Sequence, residues 1–447
     1  MFECLNRCYM DLPIAFPENS KFQNLKKFQG SPVLYMQEAV EKFGAPVDLN
    51  LPMGDFVVTN SPKHAHRILA THQDRYQKSK GYREIARVLG HGLLTADGEQ
   101  WHQQRKALQP SFHKNDLRKL LPSVWNTGTS FIHGLQPNTT LDLSEEMGRL
   151  TLNVLLNSLI NYQDEVLKEK MIADVVFSQE FITNRIRSPF KVPVWVPTKQ
   201  NRRYHTMMKE VNDLIRKCVR DRQQAGQDKF NDILTVLMQH HDPDAEFMKI
   251  RDELMTFFIA GHETSALGLA WGFHMLAHHP EVQQKLYDEV KGIEKLEDID
   301  LINFSNTEYL QLTVKEVLRR HPPIWNIVRM AREEDELDGY RIAKGKQVML
   351  NIYLIHNNNE YWDAPESFNP ERFKALSLKD KLQYMPFGAG PRFCIGNNFA
   401  IFEMMILMLQ LVKAFELIPL TDKNVGFNPL LTLRPEQPLN VQLKARQ

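Results

Sequence analysis

The residues best placed to do chemistry lie in FGAGPRFCIG, Phe387 to Gly396, which runs directly into an apolar helical stretch. A cysteine at a helix entrance meets unpaired amide N–H groups and partial positive charge, both of which favour its thiolate. That is the environment of a metal ligand. Gly388, Gly390 and Gly396 free the backbone to turn tightly and let a flat ligand approach, and Arg392 offers a cation to carboxylates. The grouping points to haem held by one axial thiolate from Cys394. Taken alone, a lone cysteine is more often a buried, inert one beside a helix cap.

Three other constellations stand out. In AGHETS, Ala260 to Ser265, an acid and an alcohol sit side by side amid apolar residues, where polar groups need a reason. Thr264 can bond its own helix backbone and Glu263 can belong to a structural ion pair. Glu316 and Arg319 in KEVLRR share a helix face, and Arg372 follows in FNPERF. Trp101 and Arg105 in WHQQR are four apart, so an indole N–H and a guanidinium can address one anion.

The elements that must position these groups are mainly helical. Amphipathic patterns cover Asp116 to Leu135, Leu143 to Ile160, Tyr204 to Gln224, Lys229 to His240, Ile250 to His279, Pro280 to Glu294 and Asn306 to Arg320. Strand-like runs occur at Val47 to Leu51, Phe56 to Thr59, Gln347 to Leu354, Leu431 to Leu433 and Leu439 to Leu443. A small sheet therefore draws on both chain ends, and residues 1–447 read as one domain. Ser188 to Arg203, with three prolines, reads as an irregular loop.

The 447 residues carry 55 basic and 54 acidic side chains, a net of +1, so bulk charge points to no nucleic acid partner. With 43% hydrophobic and 24% charged residues, disorder, collagen and coiled coil are excluded. Four scattered cysteines make no disulfide framework, and a reducing, cytoplasmic setting is expected. The N-terminal residues lack the pattern of a signal peptide. The most apolar stretch, Phe399 to Val412, is broken by Glu403 and Gln410 and reads as a core helix, so stable membrane insertion is not expected. Nothing requires more than a monomer.

Taken together, Phe387, Gly390, Arg392, Cys394 and Gly396 match the pattern Phe-x-x-Gly-x-Arg-x-Cys-x-Gly, and the chain resembles the cytochrome P450 family from about Glu38 to Leu443. The resemblance implies a mainly helical fold with a minor sheet, and a long central helix over haem b with Cys394 as axial thiolate. Glu263 and Thr264 would then relay protons to bound O2, with Ala260 against the haem. Glu316, Arg319 and Arg372 would form a buried structural triad. Trp101 and Arg105 would contact a haem propionate, and Arg329 is a further propionate candidate. Asn357 departs from the pattern, since many relatives carry Arg there.

The activity so implied is insertion of one oxygen atom from O2 into a C–H bond. By family position the pocket includes Phe257, Ile259, Ile324, Trp325, Val328, Leu430 and Leu431, which calls for a lipophilic substrate such as a fatty acid or terpenoid. The chain holds no flavin or nicotinamide segment, so electrons are expected from a ferredoxin or flavodoxin with its reductase. Lys106, Lys114, Arg118, Lys119, Lys379 and Lys381 offer that partner a basic face. A peroxide-driven peroxygenase or hydroperoxide isomerase is the alternative enzyme, although Thr264 argues against it. A haem protein that only binds or senses a ligand is the non-catalytic alternative.

Overall fold

The computed structural model describes all residues except 1–8, 53, 55, 162–164, 189, 227–231, 301–303, 376–381 and 447. Its organising element is the helix Phe247–His278, 32 residues long and buried on nearly every side. Polar side chains within it, Arg251, Asp252 and Glu263 among them, are themselves buried and paired, so the helix is covered nearly all round. The helices Leu143–Leu159 and Asn397–Ala414 are among those that cover it. The second of these comes very close: a Cβ added at Gly268 would lie 2.9 Å from the Met404 Cε, and one at Gly272 3.0 Å from the Met408 Cε. The main apolar cluster draws residues from Val88 to Leu443.

The sheets are small, as expected for a mainly helical fold. One has five strands in the order Val47–Asp48, Phe56–Thr59, Gln347–Asn351, Asn326–Ala331, Tyr76–Lys78. Phe56–Thr59 runs parallel to Gln347–Asn351, and the other pairs are antiparallel. A second sheet joins Thr140–Asp142 and Phe415–Pro419 across Asn440–Ala445. Phe427–Pro429 and Leu433–Pro435 form a separate hairpin.

Several element boundaries differ from the sequence reading, each for a local reason. The strand expected to reach Leu354 stops at Asn351, whose side chain accepts the Leu354 N–H at 3.0 Å and caps the short helix Ile352–His356. The helix expected over Asp116 to Leu135 breaks into Lys114–Leu117 and Leu121–Gly134, with Pro122 in the first turn of the second piece. The irregular stretch ends at Thr198, which caps the helix Lys199–Ala225 by accepting the Asn201 N–H at 3.1 Å. The helix expected from Lys229 starts at Ile233, capped by Asp232, and residues 227–231 lie outside the described residues. A 23-residue helix, Glu165–Arg187, is a further element that the periodicity did not pick out.

Asn397–Ala414 is the one helix among the described residues long and apolar enough to cross a bilayer, and 67% of it is buried within the fold. The sequence reading took this stretch as a core helix.

Candidate active site

The Cys394 loop is shaped by its glycines. Gly388 and Gly390 take φ of +75° and +70°, a region open mainly to glycine. At Gly390 a Cβ would lie 1.9 Å from the Leu69 carbonyl oxygen, so any side chain there pushes the loop off its support. Gly396 has open space where its Cβ would be. The Cys394 N–H donates to the Phe387 carbonyl at 3.1 Å, which closes the loop.

Cys394 lies deep in the protein, yet its side chain is open rather than packed. Burial raises the pKa of its thiol, and the Gly396 N–H and Arg105 oppose that rise without overcoming it. The helix entrance alone therefore does not make a thiolate here. A bound metal would displace the proton. Among the described residues no three His, Cys, Asp or Glu side chains gather as a metal site. An iron bound to Cys394 must bring its remaining ligands with it, as haem does.

The helix entered from Cys394 touches the central helix at Gly268 and Met404. Toward the N-terminal ends of both, the side chains are no longer fully packed. Ala260, Gly261 and Thr264 are only part-buried within an otherwise buried stretch, as are Ile395 and Gly396 beside the open Cys394. Thr264 Oγ1 donates to the Ala260 carbonyl at 2.7 Å and keeps its lone pairs free to accept.

Glu263 is placed differently from what its neighbour suggests. Its Oε1 accepts from Arg434 Nε at 2.5 Å and from the Thr432 hydroxyl at 2.9 Å, so the carboxyl is tied to the hairpin Phe427–Pro435. Its Oε2 is buried and has no hydrogen-bond partner among the described residues. Burial raises the Glu263 pKa, against the pull of Arg434 and Thr432. Of the two readings open in the sequence, the structural ion pair is present.

The structure brings Trp101, Arg105, Arg329 and Arg392 together, although not as one simple fork. Arg105 donates to the Phe393 carbonyl at 2.9 Å and to Gln109 at 2.5 Å, and its pKa is lowered by burial while Cys394 pulls it up. It serves the cysteine loop, whereas Trp101 lies under the Arg392 guanidinium, 4.4 Å from carbon to ring centre. Arg392 bonds the Ala96 carbonyl and pairs with Asp97. Arg329 bonds the Val328 carbonyl at 3.1 Å and Tyr82 at 3.4 Å.

Lys78 completes this group and was missed in the sequence. It stands directly opposite Arg329 across the strand pair Tyr76–Lys78 and Asn326–Ala331. Its ammonium donates to the carbonyls of Leu94 and Ala96. Burial, then Arg392, pulls its pKa down to about 6, with Arg329 acting the same way and Asp97 opposing. Like charges facing each other across a sheet are unfavourable. Three cations with one acid among them fit an anion with more than one carboxylate, which haem supplies through its propionates. No local pattern in YQKSK signals this, because the cluster is made by strand register.

Glu316 and Arg319 are fully buried and joined by two bonds, at 2.8 and 2.9 Å, and Arg372 reaches Glu316 at 3.0 Å. The carbonyls of His356, Pro365, Ser367, Asp363 and Ala364 take the remaining guanidinium protons. Asn357 exchanges bonds with Arg320 instead of supplying a cation.

The expected pocket residues divide. Phe257 stacks on Phe112 with ring centres 5.6 Å apart, Ile259 belongs to the main apolar cluster, and Trp325 packs in a second cluster while donating to the Leu430 carbonyl at 3.3 Å. These three are walls. Ile324, Val328, Leu430 and Leu431 are part-buried. In the basic patch Lys106, Lys114 and Arg118 are exposed, and Lys119, also exposed, pairs with Asp116 at 2.9 Å. Lys379 and Lys381 lie outside the described residues.

Comparison with known proteins agrees with this architecture. The chain is 31% identical over 381 residues to leukotriene-B4 omega-hydroxylase 3 of Mus musculus, covering 78% of this chain and 72% of that one. It is 28% identical over 351 residues to cyclooctat-9-en-7-ol 5-monooxygenase of Streptomyces melanosporofaciens, covering 77% and 76%. The crystal structure of the cytochrome P450DA heme domain superposes with a TM-score of 0.86 at 22% identity, over 99% of both chains. Residues 12–443 match the Cytochrome P450 family. With its glycine-shaped cysteine loop beneath a long central helix and its ring of cations, this chain belongs to the cytochrome P450 family, the haem-thiolate monooxygenases.

Proposed function

We propose that the chain hydroxylates a lipophilic substrate of the fatty-acid or terpenoid kind, using O2 and electrons from a separate ferredoxin or flavodoxin with its reductase. The observation that carries this reading is an open cysteine deep in the fold beside a cluster of cations with too few acids. When bound, haem supplies the activation of O2, with the thiolate favouring O–O cleavage.

The chain's own residues do the rest. Cys394 would hold the iron through its sulphur, and the Gly396 N–H and Arg105 favour the deprotonated form that such a ligand needs. Lys78, Arg329, Arg392 and Trp101 would hold the propionates, whose negative charge would offset the crowding of basic groups there. Thr264, anchored to the Ala260 carbonyl, holds water by its lone pairs and passes protons toward the reacting oxygen. Glu263 exchanges protons through its free Oε2. The apolar walls at Phe257, Ile259 and Trp325 keep bulk water out. Lys106, Lys114, Arg118 and Lys119 present the electron donor with a basic face whose effect is on association rate.

The test is an absorption spectrum of the reduced protein under carbon monoxide, compared with Cys394→His. A red-shifted Soret band in the wild type that vanishes in the variant supports the reading. A band that survives the substitution, or a colourless wild-type protein, defeats it.

A further inference from the structure

We propose that Arg187 is the carboxylate-binding residue of the substrate pocket, selecting long-chain acids over neutral molecules of the same length. The inference rests on the monooxygenase reading and narrows its substrate class.

Arg187 ends the helix Glu165–Arg187, with its side chain half-buried. One of its guanidinium nitrogens donates to the Pro429 carbonyl, and that is its single side-chain bond among the described residues. A guanidinium has five N–H donors, so most of its capacity is unused. Several half-buried or buried arginines of this chain have an acid: Arg185 pairs with Glu84 at 2.7 Å, Arg222 with Asp232 at 2.6 Å, Arg251 with Asp252 at 2.7 Å and Arg434 with Glu263 at 2.5 Å. Others, Arg105, Arg320, Arg329 and Arg446, bond two or more neutral groups or a neutral side chain instead. Arg187 has no acid among the described residues. Burial lowers its pKa to about 10 with no acid opposing the fall, so it stays a cation at neutral pH.

Its position ties this cation to the site. Pro429 lies in the hairpin Phe427–Pro435, whose turn carries the part-buried Leu430 and Leu431. Within the same turn, Thr432 bonds Glu263, the neighbour of Thr264. On its other side Gln29, from the helix Lys21–Gly30, donates to the Arg187 carbonyl at 3.4 Å. Arg187 thus stands between a surface helix and the apolar turn that leads to the reacting segment. A charged head with an apolar tail fits both, the head on the guanidinium and the tail along Leu430 and Leu431. A carboxylate is the head group that a guanidinium grips with two parallel bonds.

The test is equilibrium dialysis at pH 8 of the holoprotein with decanoate and with decan-1-ol, for the wild type, Arg187→Leu and Arg187→Lys. The wild type is expected to bind decanoate about tenfold more tightly than the alcohol. Arg187→Leu should lose that preference while its affinity for the alcohol stays, and Arg187→Lys should keep part of it. A wild type that does not discriminate, or a preference that survives in Arg187→Leu, overturns the assignment. The carbon monoxide spectrum of each variant scores the haem reading separately, since dialysis reports binding without it.

Discussion

The Glu316–Arg319–Arg372 network and the Lys78–Arg329–Arg392 cluster both take cations out of water, and they settle the cost in opposite ways. In the first, Glu316 is bonded by both arginines and backbone carbonyls take the remaining protons. In the second, Asp97 is the one acid acting on Lys78 among the described residues, and two of the basic side chains face each other across a strand pair. A network complete in itself is there for the fold. A cluster left short of negative charge is there for a ligand. Arg187 falls on the second side of this division.

The comparison breaks most visibly at Glu316. Glu316→Ala leaves Arg319 buried with an uncompensated charge, and removing one partner of such a pair costs about 3–5 kcal/mol. Loss of soluble, haem-containing protein is expected, read as yield and urea midpoint. A variant with an unchanged midpoint would mean that the network is not structural.

The next largest effect is expected at Thr264. Thr264→Ala removes the hydroxyl bonded to the Ala260 carbonyl and leaves the cation cluster and the Cys394 loop untouched. Haem content and the carbon monoxide spectrum should stay, while productive turnover falls about 10²-fold and electrons are lost as hydrogen peroxide. Product formed per electron consumed is the measurement, and unchanged coupling removes Thr264 from proton delivery.

At Lys78 the comparison predicts opposite signs for two quantities. Lys78→Met removes a buried amine that holds its proton weakly, so the melting temperature of the haem-free protein should hold or rise, but it removes a contact that becomes charged once an anion is bound, worth roughly tenfold in haem affinity. Transfer of haem to an acceptor protein measures the second. A substitution that lowers both would place Lys78 with the structural network instead.

How much of this was legible in the sequence depended on the range of the interaction. The cysteine loop, the Glu263–Thr264 pair and the Glu316–Arg319 spacing are each written within ten residues. The central helix was also readable, because its apolar residues recur at helical spacing from Ile250 to His279 with no proline between them. Lys78 was not, since its partner Arg329 is set by a strand pairing over a long loop of chain. For the same reason the ion pair of Glu263 with Arg434 was open in the sequence but not assignable, as those residues are 171 positions apart. The helix Glu165–Arg187 touches helices on several sides, among them Tyr82–Leu89, Leu143–Leu159 and Lys199–Ala225, which blurs the single apolar stripe that periodicity detects. The break before Leu121 did have a signal, Pro122, which favours a helix's first turn over its interior.

Glu403 offers a third way, in which a buried acid is kept neutral and its effect shows only as a slope with pH. It sits on the helix that follows Cys394, bonded to the side chain of Ser265, and its pKa is pushed up to about 8 by burial, with no cation to hold it down. At neutral pH it therefore remains largely protonated. The folded state binds this proton more tightly than the unfolded chain, whose carboxyl titrates near the ordinary value of 4.5. Its contribution to stability is complete at low pH, declines as pH rises from the unfolded value toward the folded one, and is flat beyond it. Glu403→Gln keeps the shape and hydrogen bonding of the neutral acid and removes that slope. The urea midpoint of the variant should match the wild type near pH 4.5 and gain on it steadily to pH 8, by at most about 1.4 kcal/mol per pH unit. Parallel profiles across that range would show that Glu403 has a charged partner and belongs with Glu316.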